Sequence, residues 1–317
     1  MKTFLNDLRN ALKNKNISAI EIEDIIKDHE DMIEEAKSEG LSEEEILTKL
    51  GKPEEIAEGL ADFEEKDTST ETQKTQHILK EFEVQSTSID VSVSMSTETT
   101  EYKLVDSKSI RVLCRSNKEP SGYEVSFKND TLKVEAPKLT QFLSFLSRGK
   151  GIEFIIEIPK SLAINHFKHS TLSGDVHLDG FNIKHLEMNT VSGDIKVSKL
   201  EITEAQWYTV SGDITLDKSR LSSLKSSQVS GDLFVLSSAI EEYIDLDTVS
   251  GDMYLEDSKA DSCKVNSVSG DVRGKEFYPN KISLSSISGN INIKNQEKRH
   301  IEIISRSTLS GSIHIHT

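Results

Sequence analysis

The sequence has little of the material from which redox sites, membrane spans and export signals are built. Its 317 residues include only two cysteines, Cys114 and Cys263, and their location in different segments favours two buried free thiols over a disulfide. No run of 18 apolar residues occurs, which excludes a transmembrane helix. The first 16 residues lack the apolar core and cleavage site of a signal peptide. We therefore expect a cytoplasmic protein, with the cell surface, reached by a non-classical route, as the alternative.

Motifs of catalysis and of nucleic-acid binding are also missing. The chain has 38 Lys and Arg against 54 Asp and Glu, a net charge of −16, which argues against a nucleic-acid partner because such partners select basic surfaces. Phosphate-binding, zinc-protease, thiol-redox and nucleophile-elbow motifs do not occur. His314 and His316 share one face of a strand, which is a weak indication of a metal site. We favour the interpretation that they are polar side chains that blunt the edge of a terminal strand. We expect no enzyme, no cofactor and no metal.

What the sequence does have is a repeat in its C-terminal half. A Ser-Gly turn followed by Asp, Asn or Ser recurs with spacings of 19, 19, 19, 20, 19, 19 and 22 residues. A fixed period in this range is typical of a solenoid, in which each rung buries its apolar side only against its neighbours. The repeat-turn residues are Gly174, Asp175, Gly193, Asp194, Gly212, Asp213, Gly231, Asp232, Gly251, Asp252, Gly270, Asp271, Gly289, Asn290 and Gly311.

Within each repeat the apolar residues alternate as they do in a β-strand. Pairs such as Val176 and Leu178 follow each turn with one polar residue between them. The residue before each turn serine is aliphatic, and we expect these residues in the core. They are Leu172, Val191, Val210, Val229, Val249, Val268, Ile287 and Leu309. Two short strands per repeat predict a parallel β-solenoid, that is, a single-stranded β-helix.

The glycine and the aspartate of each turn are predicted to be structural. We expect the glycine at a corner with positive φ, where a β-carbon is penalised. The aspartate can accept hydrogen bonds from backbone N–H groups and close an Asx-type turn. Stacked aspartates about 5 Å apart repel each other by roughly 1 kcal/mol in water. A ladder of calcium ions is therefore the alternative to turn capping, although the period differs from that of calcium-binding repeats.

The pattern divides the chain into four parts. Residues 1–63 carry amphipathic stripes and capping boxes and are predicted to form a small, acidic bundle of helices. Residues 64–77 are polar and read as a flexible linker. Residues 78–150 are predicted to form an antiparallel β entry segment that caps the first edge of the solenoid, residues 151–317.

One stretch of the entry segment interrupts its strand pattern. Phe142 and Phe145 lie among three leucines, and Arg148 and Lys150 follow them in an otherwise acidic chain. An apolar tip with basic flanks predicts contact with a membrane surface, an envelope component or another partner. A hydrophobic plug or loop packed against the rungs is the simpler interpretation of this segment, and contact with a partner is the functional hypothesis.

Two parts of the chain resemble known families. The run from Phe4 to Leu12 and the stretch GLSEEEILTKLGKPEEIA, residues 40–57, resemble the HAAS helical signalling domain of Gram-positive bacteria. The Ser-Gly-Asp repeats, preceded by the strand end Ile-Pro-Lys at residues 158–160, resemble the bacterial "putative adhesin" β-strand repeat family. Some members that pair these modules act in cell-envelope stress and antimicrobial-peptide responses. The resemblance implies no catalytic residue.

These observations predict a non-enzymatic scaffold for binding or signalling, with a helical domain that recognises a protein partner and a rigid solenoid. A structural solenoid that assembles end to end is the alternative. A carbohydrate-active enzyme is a third interpretation, which we disfavour because rungs of nearly constant length leave little chain to build a cleft.

Overall fold

The computed structural model describes residues 2–15, 22–23, 26, 29, 33, 42–50, 52–54, 57, 75–116, 120–137 and 152–316. The chain divides into two compact units: Met1–Gln73 with Pro137–Lys150, and Lys74–Ala136 with Gly151–Thr317. The predicted contact residues lie outside the described residues; they are Phe142, Phe145, Arg148 and Lys150.

The first unit contains helices α1 (Lys2–Lys13) and α2 (Glu43–Leu50). Helix α2 begins one residue after Ser42, whose carbonyl accepts a hydrogen bond from Ile46 N–H at 3.0 Å. This start matches the capping box predicted there. The buried apolar cluster of this unit comprises Phe4, Leu8, Leu12, Ile22, Ile26, Ile33, Ile46, Leu50 and Ala57. The predicted amphipathic stripes therefore do form a small core.

The second unit is a single sheet of 21 strands in the described residues. The first strands are β1 (Thr75–Glu83), β2 (Ser88–Ser94), β3 (Thr99–Val105), β4 (Ser109–Ser116), β5 (Glu124–Lys128), β6 (Thr131–Glu135), β7 (Glu153–Pro159), β8 (Ala163–Thr171), β9 (Val176–Asp179), β10 (Asn182–Thr190) and β11 (Ile195–Ser198). The others are β12 (Glu201–Thr209), β13 (Ile214–Asp217), β14 (Arg220–Gln228), β15 (Leu233–Leu236), β16 (Ala239–Thr248), β17 (Met253–Ser267), β18 (Val272–Ser286), β19 (Ile291–Lys294), β20 (Glu302–Thr308) and β21 (Ile313–His316).

The repeats stack as a parallel β-solenoid, which confirms the predicted fold class. Each rung has a long and a short strand, and each strand pairs in parallel with its counterpart one rung away: β10 with β8 and β12, and β11 with β9 and β13. Equivalent repeat positions face each other, so Val176, Ile195 and Ile214 form one buried column. The interior is one continuous apolar cluster along the whole stack.

The entry segment is antiparallel only in part. Strands β1, β4 and β7 pair antiparallel in that order, and β5 pairs antiparallel with β6. However, β2 and β3 pair in parallel with β8 and β9 on one side and with β6 and β7 on the other. Two additional rungs therefore extend the solenoid, and they stack out of chain order. The sequence did not predict them because neither contains a Ser-Gly-Asp turn.

The aliphatic residues before the turn serines are not in the core, so this prediction was wrong. Val191 is 46% exposed and Val229 is 37% exposed. The alternation of each long strand instead points the preceding residue inward, as at Thr190 and Thr209, which are 2% and 0% exposed. The hydroxyl oxygen of Thr190 accepts a hydrogen bond from Gly193 N–H at 2.9 Å. In every repeat but that of Gln228, the last inward position of the long strand is therefore a hydroxyl side chain that fastens the turn.

The repeat glycines do not adopt positive φ, which corrects a second prediction. In the described residues, positive φ at glycine occurs only at Gly122 and Gly180. A β-carbon on Gly212 would lie 2.0 Å from the carbonyl oxygen of Gly193, one rung earlier. Glycine is therefore required at this glycine corner because successive backbones approach too closely for a side chain.

Positive φ occurs at the other corner of the rung, between the short strand and the next long strand. There φ lies between 47° and 53° at residues that are not glycine: Lys199, Lys218, Ser237, Asp257 and Glu276. We call this the left-handed corner. Left-handed backbone is unfavourable for residues with a β-carbon by about 1–2 kcal/mol each, so the stack must hold it in place.

The predictions about the two cysteines and about membrane-spanning helices can be compared with the structure. Cys114 and Cys263 are both buried and form no disulfide, as predicted. Among the described residues, no helix has the length and apolar character needed to span a bilayer.

Candidate functional site

A ladder of hydrogen bonds links the aspartates of the glycine corner. The backbone N–H of each turn residue after glycine donates to Oδ1 of the aspartate one rung earlier, at 2.8–3.0 Å along the column from Asp175 to Asn290. The predicted role as an acceptor of backbone N–H groups is therefore correct. The predicted partner was wrong, because the donor belongs to the next rung and not to an Asx turn of the same rung.

The turn serines add a second ladder beside the first. From Ser192 onward, each serine N–H donates to the carbonyl of the aliphatic residue one rung earlier at 2.8 Å, and each serine Oγ donates to the same carbonyl at 3.0–3.3 Å. The N–H groups of the turn serines and of the residues after glycine are therefore engaged between rungs. Within the described ranges, no group of three or more His, Cys, Asp or Glu side chains could hold a metal ion.

The exposed aliphatic residues form a continuous ridge along the glycine corner. The aliphatic ridge comprises Leu172, Val191, Val210, Val229, Val249, Val268, Ile287 and Leu309. Val210 is half-buried, the others are 37–49% exposed, and Leu309 at the final rung is 83% exposed. Neighbouring members are about one strand spacing apart, roughly 4.8 Å. A contiguous apolar surface of this kind is unusual outside interaction sites.

A second surface column carries aromatic and charged side chains on the short strands. The rings of Phe234 and Tyr254 stack at 4.8 Å with an interplanar angle of 6°. The Arg273 guanidinium lies 5.2 Å from the Tyr254 ring centre and 2.9 Å from Oδ2 of Asp252. Because the ring faces are occupied by one another and by Arg273, they offer little surface on which a sugar could stack.

A third column runs along the outer face of the long strands and contains two histidines. His166 and His185 are register partners on β8 and β10, and their rings stack with centres 5.0 Å apart. Nδ1 of His166 lies 3.2 Å from Oδ1 of Asp90, and Nδ1 of His185 lies 3.0 Å from Oε2 of Glu204. All four side chains lie within or directly beside the same column of four successive rungs.

Buried polar groups hold the rung formed by β2 and β3. Glu98 is fully buried, and its carboxylate accepts hydrogen bonds from the N–H groups of Ser96 and Thr97 and from the Tyr123 hydroxyl at 2.5 Å. Burial, reinforced by Glu98, raises the pKa of Tyr123 well above its usual range. Glu98 therefore fastens this turn, in which Thr97, Glu98 and Thr99 stand where the next rung has Ser173, Gly174 and Asp175.

The same rung contains a buried pair of titratable groups. The Tyr102 hydroxyl lies 2.7 Å from Nδ1 of His169, and both residues are buried. Burial lowers the pKa of His169 to about 3 and raises that of Tyr102. Both groups are therefore neutral at physiological pH, which suits a structural hydrogen bond and not proton transfer.

Two small clefts lie among the described residues of the second unit. A cleft of about 300 Å³ is lined by Thr99, Glu101, Glu153, Phe154, Ile155 and His177. Another of about 250 Å³ is lined by Val105, Asp106, Ser107, Lys108, Lys160 and Ser161. Their carboxylates are engaged, because Glu101 pairs with Lys103 and Asp106 pairs with Lys160, each at 2.9 Å.

Comparison with family profiles identifies the two parts of the chain. Residues 93–317 match the profile of the Toastrack DUF4097 family. The chain belongs to that family. Residues 3–59 match the HAAS profile. Both resemblances seen in the sequence are thus confirmed, and the residues matched by the Toastrack profile include β3, β6 and β7, which belong to rungs that lack the Ser-Gly-Asp turn.

Solved structures that are similar to this chain have low sequence identity to it. A "putative lipid binding protein" from Parabacteroides distasonis is 15% identical, with a TM-score of 0.53 over 77% of this chain and 98% of that one. A "putative adhesin" from Bacteroides fragilis is 14% identical, with a TM-score of 0.43 over 76% and 96% of the two chains. Another from Parabacteroides merdae is 12% identical, with 0.47 over 77% and 98%. Comparison with curated proteins gave no match.

The structure brings the predicted repeat-turn residues of the Toastrack domain together in one column, as the period required. The aliphatic ridge and the histidine column were not predicted as surface features. The ridge did have a signal in the sequence. A hydroxyl residue precedes the aliphatic residue in every repeat but one, where Gln228 stands, and an inward hydroxyl forces its neighbour outward.

Proposed function

We propose that this Toastrack protein is a non-enzymatic binding scaffold that acts in the bacterial cell-envelope stress response or in surface interaction. The aliphatic ridge is the observation that carries the proposal. A monomer gains nothing from leaving a column of eight aliphatic side chains at its surface, whereas a partner that covers them gains about 25 cal/mol for each Å² of apolar surface buried.

The uniform rungs support a scaffold and not an enzyme. The Ser-Gly-Asp rungs from Gly174 to Gly289 have 19 or 20 residues each, so no insertion supplies the wall of a cleft. The buried titratable pair, Tyr102 and His169, is neutral and fully enclosed. Ligand sites in proteins are usually concave, and the extended outer face of this solenoid instead suits a large partner.

We further propose that the HAAS domain recognises a protein partner and that residues 139–150 contact a membrane surface or envelope component. The name of the Parabacteroides distasonis relative, a "putative lipid binding protein", is consistent with the second contact. An acidic chain with a net charge of −16 does not suit nucleic acid. Surface proteolysis of intact cells, with fractionation, tests the cytoplasm against the cell surface.

A photoreactive residue tests the ridge as the binding surface. We would replace Val229 with a photoreactive phenylalanine analogue in the full chain, and Lys225 of the same rung as the matched control, since Lys225 is exposed on the flat of β14. In native cells, irradiation is expected to give discrete adducts at position 229 and not at 225. Equal adducts at both positions, or none at 229, would refute the proposal.

Assembly end to end is a second candidate, favoured by the final described rung. Strands β20 and β21 each have one neighbour among the described residues, and they expose Ile303 at 47% and Ile304 at 57%. Arg306 follows the core column of Leu284 and donates a hydrogen bond to the Ile313 carbonyl, which places a charge over the end of the core. Sedimentation velocity separates the candidates, because assembly gives a concentration-dependent ladder and a scaffold gives one species.

A further inference from the structure

We infer that His166 and His185 form a binding site for a divalent transition cation such as Zn²⁺, Ni²⁺ or Cu²⁺. The two imidazoles are the only proposed protein ligands, and water completes the coordination. This inference is independent of the scaffold proposal, because it concerns the flat of the long strands and not the aliphatic ridge.

The first step of the argument is the state of the imidazole nitrogens. Nδ1 of His166 faces Asp90 at 3.2 Å, and Nδ1 of His185 faces Glu204 at 3.0 Å. A carboxylate accepts hydrogen bonds only, so each neutral ring carries its proton on Nδ1 and leaves an Nε2 lone pair. Histidines that bind metals are usually fixed in this way, with the second nitrogen donating to a carboxylate.

The second step is the spacing of the two rings. Their centres are 5.0 Å apart and their planes differ by 13°. Zn–N bonds of about 2.05 Å at a tetrahedral angle place two nitrogens about 3.4 Å apart. Both side chains are exposed, His166 by 67% and His185 by 46%, so each ring has room to rotate and turn its Nε2 toward a shared ion.

The third step is the rigidity of the platform. His166 and His185 are register partners in β8 and β10, and Glu204 is the next register partner in β12. Asp90 lies where β2 shifts its register between Ile89 and Val91, an irregularity that directs a side chain out of the regular column. The Asp90 carboxylate also accepts a hydrogen bond from His166 N–H at 3.1 Å. Four rungs thus hold the carboxylate–histidine–histidine–carboxylate order.

The charge of the surroundings suits a cation. Of the nearest basic side chains, Lys168 on β8 is engaged by Glu187 at 2.7 Å, and Lys184 is exposed beside His185 on β10. Once both imidazoles are bound to it through Nε2, the charge of a divalent ion is balanced by the carboxylates of Asp90 and Glu204 behind them. Imidazole is a borderline ligand that selects zinc, copper and nickel over magnesium and calcium.

The chain contains its own control pair. His314 and His316 also stack, at 6.1 Å and 18°, but they lie on one strand, and no carboxylate is recorded against either ring within the described part of the chain. If exposed histidine pairs bind metal without regard to the carboxylates, both pairs bind equally.

Isothermal titration of the tag-free full chain with Zn²⁺, Ni²⁺ and Cu²⁺ tests the site. The double variant His166→Asn, His185→Asn is expected to lose the tightest binding event, and His314→Asn, His316→Asn is expected to retain it. Asp90→Asn with Glu204→Gln keeps both imidazoles and is expected to weaken binding by about tenfold or more. Circular dichroism and melting temperature without metal confirm that each variant is folded.

Three results would overturn the inference. One is wild-type protein that binds none of the three ions. Another is unchanged affinity in the His166 and His185 double variant. The last is loss of the tightest event in the His314 and His316 variant, which would place the site on the final strand. Unchanged affinity in the carboxylate variant would refute the role assigned to Asp90 and Glu204.

Discussion

The two corners of each solenoid rung solve the same stacking problem in opposite ways. At the glycine corner the backbones approach so closely that a β-carbon on Gly212 would lie 2.0 Å from the preceding carbonyl oxygen. At the left-handed corner there is room for a side chain, and Lys218 holds one at φ 47°. Glycine therefore marks the corner that lacks space, and not the corner with unusual backbone.

The corners also differ in how they join one rung to the next. The glycine corner uses half-exposed aspartates, as where Asp252 N–H donates to Oδ1 of Asp232 at 2.8 Å. The left-handed corner uses buried serines, as where Ser219 N–H donates to Oγ of Ser238 at 3.1 Å. Water can replace a lost partner at the first corner but not at the second, so equivalent substitutions should have unequal costs.

Gly212→Ala should be the most damaging small substitution. Its β-carbon meets backbone atoms, which cannot rotate away, so we expect a loss of about 3 kcal/mol or more in the free energy of unfolding. Chemical denaturation of the full chain measures it. Gly180→Ala is the matched control, since its β-carbon lies 3.9 Å from Leu104 at φ 78°, and it should cost only about 1–2 kcal/mol. Equal costs would contradict the distinction between the corners.

Ser238→Ala should be the next in size. It removes the acceptor for Ser219 N–H inside the stack, where Ser238 is 3% exposed, and an unsatisfied buried donor costs about 1–3 kcal/mol. Denaturation monitored by fluorescence of the buried Trp207 measures the loss. Ser237→Ala, at an exposed neighbouring position, should change stability by less than about 0.5 kcal/mol. A similar loss in the two variants would count against the buried serine ladder.

Asp232→Ala should lower the free energy of unfolding by less, about 1 kcal/mol, because water can reach the Asp252 N–H that loses its acceptor. Asp232→Asn keeps the acceptor oxygen and should leave the free energy of unfolding nearly unchanged, since Asn290 already accepts a hydrogen bond from Ser312 N–H in the equivalent position at 3.2 Å.

Because the Oδ1 atoms are engaged by backbone N–H groups, millimolar calcium should shift the melting temperature by little. A rise in melting temperature of many degrees that a chelator reverses would instead support the alternative, a ladder of bound calcium ions.

Lys218→Gly should have the smallest effect and the opposite sign. Relief of left-handed strain, about 1–2 kcal/mol, is offset in part by the greater entropy of glycine in the unfolded chain, about 0.5–1 kcal/mol. We expect a net gain of about 0.5–1 kcal/mol. A loss of stability would show that the Lys218 side chain contributes packing that outweighs its backbone strain.

Much of this fold could be predicted from the sequence because neighbouring rungs repeat the same local pattern. The alternation at Val176 and Leu178 gave the inward face, and the constant period gave the register. The prediction failed at the corner, where Val191 and Ser192 are both exposed in succession. Period-2 alternation holds only along a strand, so it cannot assign the residues where the chain bends.

The candidate sites were less predictable than the fold. The contact proposed for Phe142 and Phe145 lies outside the described residues and stays a prediction. The histidine column was invisible because Asp90 is 76 residues from His166 in sequence and joins it only through the out-of-order rung of β2 and β3. No local pattern reports a contact of that separation.

Local periodicity and motifs are enough to predict that this chain stacks rungs of near-constant length, that their apolar faces fill one core and that a HAAS-like domain precedes them. The reason that glycine is required, the exposure of the aliphatic residues and the sharing of columns by side chains became visible only in the folded stack. Those properties depend on distances between rungs, which are fixed when backbones stack about 4.8 Å apart and are not encoded in any single repeat.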